Sequence, residues 1–110
     1  MSGQLNIFDA MTDSLEQEIQ QLNQHVQTLE KQNADAEEEI VSSKRYLDNS
    51  DDWHDRKEYE SDIRYCENKI RDNNKMIASY QAKIIALERQ LRESKGFAQA
   101  LKDKTNTNQK

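Results

Sequence analysis

Apolar residues recur along this chain at alternating steps of four and three. Leu15, Ile19, Leu22, Val26, Leu29, Asn33, Ala36, Ile40, Ser43 and Leu47 form one run, and Tyr59, Ile63, Cys66, Ile70, Asn73, Ile77, Tyr80, Ile84, Leu87 and Leu91 form a second. The rhythm is that of a coiled-coil seam, in which the a and d positions of each heptad face a partner helix. Leu47 and Ile63 are both a-type, yet they stand sixteen residues apart, two more than whole heptads allow. The chain therefore breaks between the runs. Laid head to tail, the runs pair Leu47 with Tyr59, Ile40 with Cys66, Asn33 with Asn73, Val26 with Tyr80 and Leu15 with Leu91, and in every pair the residue numbers add to 106. Each a position then meets a d position, as an antiparallel hairpin requires. A parallel dimer of long helices is the runner-up, because it must absorb the phase break.

The expected fold is thus an all-α antiparallel two-helix coiled-coil hairpin. Helix 1 is expected over about 13–48, a turn at about 48–53 and helix 2 over about 53–102. An N-terminal segment (1–12) and a polar tail (103–110) flank them, the tail having too few apolar residues to order itself. Thr12 or Asp13 suits the cap of helix 1, and Asp52 with Asp55 resembles a capping box at helix 2. Helix 1 would then be roughly 50 Å long at 1.5 Å per residue. Asn33 and Asn73 form the only cross-seam pair of amides in this register. A slip of one heptad would set each against an apolar residue and strand its polar groups, so this pair is expected to set the register.

Composition narrows the class further. Only 34% of the 110 residues are hydrophobic, there is no proline, and the two glycines are Gly3 and Gly96. That content fills a narrow seam and no broad globular core. No stretch approaches the roughly 20 apolar residues of a membrane span, and no signal peptide is recognisable, so a cytoplasmic protein is expected. Cys66, the single cysteine, falls on the seam and reads as a small buried thiol. The formal charge of −5 argues against direct nucleic-acid binding, which needs clustered Lys and Arg. Its distribution is uneven: residues 1–30 carry five acids and no Lys or Arg, whereas 83–110 carry seven bases and three acids. The hairpin lays these stretches side by side. Edge charges are mixed in this register, with Lys44 near Glu60 and Glu39 near Lys69, but Glu16 facing Glu88 and Glu37 facing Glu67.

A hairpin of two helices leaves much of its seam half-wet, so a protein partner or a homodimer forming a four-helix bundle is expected. Val41, Tyr46, Tyr65, Met76, Ala78, Ala82, Ile85 and Phe97 flank the seam and are candidates for that contact. No catalytic signature is present, neither phosphate loop nor HExxH nor CxxC, and no cofactor or metal is expected. Asp51, Asp52, His54, Asp55 and Glu58 cluster at the turn, where acids serve capping and the helix dipole. His25 falls beside the seam. Trp53, beside the acids, is read either as closing the end of the bundle or as a tip contact for a partner.

The most specific functional hint precedes the first run. Gln4-Leu5-Asn6-Ile7-Phe8 resembles the short peptide by which bacterial replication and repair proteins grip the DNA sliding clamp, commonly Gln-Leu-Ser/Asp-Leu-Phe. The resemblance covers five residues and departs mildly at Asn6 and Ile7. It implies that Gln4 makes polar contacts at a pocket rim, Leu5 enters a small apolar subsite, and Ile7 with Phe8 fills the deeper cleft. Such a spelling arises by chance in about one chain of this length in several hundred. Two other readings stand beside it. Leu5 and Phe8 also continue the heptads, pairing with Leu101 and Ala98, so the segment could pack in the bundle, and it could equally contact some other partner. As an alternative to clamp binding, the whole chain reads as an assembly subunit completing a larger helical complex. A secretion-associated hairpin is a weaker variant, since Trp53-His54-Asp55 lacks the glycine of the Trp-x-Gly turn of those proteins.

Overall fold

A computed structural model describes residues 3–108, with side chains described for residues 7–104. Two helices account for all but three of these residues: α1 spans Gly3–Asn49 and α2 spans Trp53–Asn108, joined by the turn at 50–52. The fold is a helical hairpin, as the heptads predict. Between residues 7 and 104, every side chain that is buried or half-buried lies on the predicted seam or on its backward extension through Phe8, Thr12, Ser94, Ala98 and Leu101, Ser50 in the turn excepted. The backbone has no cis peptide and no positive φ among the described residues, so the reversal at 50–52 is made from ordinary conformations.

Both outer helix boundaries differ from expectation. Instead of starting near residue 13, α1 begins at Gly3, and α2 continues past Asp103 to Asn108. No proline interrupts residues 3–12, and the heptad continues through Phe8 and Thr12, so the helix has a packing face to follow there. Thr12 is consequently no cap; its hydroxyl shares a 3.4 Å hydrogen bond with that of Ser94 across the seam. The inner boundaries agree. Asp52 caps α2, its Oδ1 accepting from the His54 backbone N–H at 2.9 Å, and the first helical bond runs from Arg56 N–H to Asp52 O at 3.0 Å.

The hairpin divides into two compact units. The turn unit, His25–Ser79, holds both inner helix ends. Its core is Val26, Leu29, Ala36, Ser43, Ile63, Cys66 and Asn73, all buried. The terminal unit takes α1 up to Gln24 and α2 from Tyr80. Of its described side chains only Ile84 is buried, while Leu15, Ile19, Leu22, Leu87 and Leu91 are half-buried.

Candidate functional site

In the turn unit, the seam is crossed by amides. Asn73 Nδ2 donates to Asn33 Oδ1 at 3.0 Å and to Gln32 Oε1 at 3.3 Å, while Asn33 Nδ2 donates to Asn74 Oδ1 at 2.9 Å. The pairing of Asn33 with Asn73 is the one the register demands. The flanking amides Gln32 and Asn74, which the seam pattern does not single out, complete the set, and no buried side-chain nitrogen or oxygen among the described residues is left without a partner. Cys66 lies in the same unit with 2% of its surface exposed. Burial pushes its thiol pKa above the ordinary value; the hydrogen bond to Glu39 and the negative charges of Glu39 and Asp62 add to this, with Lys69 opposing. A protonated, covered thiol is inert packing.

The turn is closed by a residue that heptad reading overlooks. Arg56 Nη1 donates to the backbone oxygens of Leu47 and Ser50, each at 3.0 Å, joining the Ser50 N–H that the Leu47 oxygen also accepts at 3.3 Å. Trp53 does not close the end of the bundle. It is 63% exposed, with the His54 ring against its edge at 5.1 Å and Lys57 Nζ at 5.0 Å from its ring centre. Of the acids around it, Asp52 caps α2 and Asp55 stands in its first turn; among the described residues no group of three or more His, Cys, Asp or Glu is placed to hold a metal ion. Tyr46 stacks on Tyr59 at 5.5 Å, and a shallow depression of about 610 Å³ lies on α2 between Glu67 and Ala78.

The terminal unit presents a different surface, and its two edges are unlike. Beside the seam on one edge, Lys95 Nζ reaches Glu16 at 3.3 Å, giving that acid a cation partner. On the other edge the Phe8 ring stacks on Phe97, centroids 5.9 Å apart and 23° between planes. Beside this stack opens a groove of about 790 Å³, its apolar lining supplied by Phe8, Met11, Leu15, Phe97 and Ala100 and its one charged residue being Glu93. Gly96 lies along it with nothing within 4 Å of where a Cβ would stand. Met11 is 50% and Phe97 64% exposed, so the lining is apolar and open.

Of the clamp-like segment, the side chains of Gln4, Leu5 and Asn6 lie outside the described residues, as does the pairing of Leu5 with Leu101. Ile7 is 60% exposed and Phe8 half-buried against Phe97, so the structure separates two side chains that the motif would send into one cleft. Phe97 was legible as a flanking apolar residue; Met11 was not, because the groove it lines exists only once residues far apart in sequence are brought together. Searches against known protein families, curated proteins and solved structures give no match for this chain.

Proposed function

We propose that this chain is a non-enzymatic interaction protein that docks on a bacterial DNA sliding clamp through Gln4-Leu5-Asn6-Ile7-Phe8 and so modulates replication or repair in the cytoplasm. The observation that carries the reading is the spelling of those five residues at the start of α1. Ile7 stands open to a partner, and Phe8 is held by one aromatic stack at the edge of a groove, without full burial. Docking as an extended peptide unwinds the first turns of α1 and breaks that stack, worth about 0.5–1.5 kcal/mol. The acidic α1 surface beyond it would repel DNA and disfavour other clamp users that bring DNA with them.

The test is binding of the full chain to an immobilised bacterial sliding clamp. Changing Leu5, Ile7 and Phe8 together to Ala should abolish binding while helical circular dichroism persists. No binding by the wild-type chain at micromolar concentration, or unchanged binding by the triple variant, overturns the reading. The second reading, an assembly subunit of a larger helical complex, is favoured by the apolar groove beside Phe97. Limited proteolysis separates the two: early cleavage within residues 1–12 accords with a releasable docking peptide, and protection there with bundle packing.

A further inference from the structure

The terminal unit is lopsided in a way that a lone hairpin does not need. One edge beside its seam is bridged by Glu16 and Lys95 at 3.3 Å, while the other opens the groove of about 790 Å³ between Met11 on α1 and Phe97 on α2. Ile7 lies one helical turn before Met11 and Ala100 nearly one turn after Phe97, which widens the exposed apolar strip on both helices. A face of this kind is one that water covers poorly and a partner covers well.

We infer that the occupant of this edge is a second copy of the chain, seated about a two-fold axis with α1 of one protomer along α2 of the other. Two observations select that occupant. The strip is self-complementary, since Ile7 and Met11 of one copy meet Phe97 and Ala100 of the next, and the same contacts recur on the far side of the axis. The helices also carry opposite charge: α1 between residues 7 and 24 has four acids and no Lys or Arg, while α2 between 80 and 104 has six bases against three acids. Setting α1 on α2 of the partner alternates acidic and basic helices around a four-helix arrangement. Setting α1 on α1 would bring acids together. An anionic surface, nucleic acid or lipid, would meet the acids of α1 first. The inference does not rest on the clamp reading, and its test uses this chain alone.

Sedimentation equilibrium of the full chain, from about 1 to about 300 μM, reads the association directly. The wild type should form a dimer and nothing larger, and added salt should weaken it as the opposed charges are screened. Met11→Lys puts a charge in the middle of the apolar strip that the dimer would bury and should raise the dissociation constant by at least about tenfold. Ala100→Glu, facing the partner's acidic α1, should do the same, and it covers the case in which Met11→Lys disturbs the helix by circular dichroism. Gln27→Lys, exposed in the turn unit, should leave the constant unchanged. A wild type that stays monomeric at the highest concentration overturns the inference. So does a dimer indifferent to both groove variants, or one that Gln27→Lys weakens equally.

Discussion

The two units of this hairpin share one heptad pattern and close to different degrees. Among the described residues, seven of the eight buried side chains belong to the turn unit and one, Ile84, to the terminal unit. Residue size explains much of the contrast. Ala36, Ser43 and Cys66 are small seam residues, and Ile63, which the register sets opposite Ser43, is covered with them. The terminal unit instead carries Phe8 and Phe97 at one level and a polar Thr12–Ser94 layer at the next, with Gly96 giving no side chain to fill the gap. A regular period therefore specifies where two helices meet, and side-chain volume decides how well they seal. The well-sealed unit carries the bonded amides Asn33 and Asn73, and the poorly sealed one leaves an apolar groove open.

Substitutions can break this contrast, and the largest effect is expected in the core. Leu29→Ala in the turn unit should destabilise the chain by about 2–4 kcal/mol, and Leu15→Ala, half-buried in the terminal unit, by about half as much, measured by urea unfolding. Equal losses would erase the distinction between the units. Next comes the amide cluster. Asn73→Leu leaves the Asn33 amide facing an apolar side chain and should cost about 1–3 kcal/mol, whereas changing both Asn33 and Asn73 to Leu should restore stability while admitting slipped pairings, visible as extra cross-peaks in amide spectra. Gly96→Ala should stabilise by about 0.5–1 kcal/mol, because the new methyl meets nothing and the helix loses a flexible residue.

The smallest effect is one of pH. The folded state binds the Cys66 proton more tightly than the unfolded chain does, so the thiol's contribution is complete below its ordinary pKa of 9.0 and is lost as pH rises through the higher folded value. Stability should decline above pH 9.0 more steeply in the wild type than in Cys66→Ala, whatever the offset between them at neutral pH.

Nearly the whole seam is legible from spacing, because burial in a two-helix hairpin follows a one-dimensional repeat. Asn33 and Asn73 are legible for the same reason: they occupy opposed seam positions, and amides there must find each other. Helix ends are less so. Thr12 and Asp13 have the chemistry of a cap, but the heptad runs on through Phe8, and Thr12 spends its hydroxyl on Ser94. Contacts at the edges escape the repeat altogether. Arg56 reaching back to Leu47 and Ser50, Phe97 stacking on Phe8 and Met11 lining the groove depend on side-chain reach, which spacing does not encode. The clamp-like spelling is readable as letters, while the separation of Ile7 from Phe8 becomes plain only when the segment is seen as helix.

Native-state hydrogen exchange tests the central contrast most directly, since it reads local opening residue by residue without substitution. Amides between Val26 and Leu47 and between Tyr59 and Ile77 should exchange only through global unfolding, and those between Ile7 and Leu15 and between Leu91 and Leu101 at least about tenfold faster through local opening. Uniform protection along both helices, or slower exchange in the terminal unit, would contradict the account.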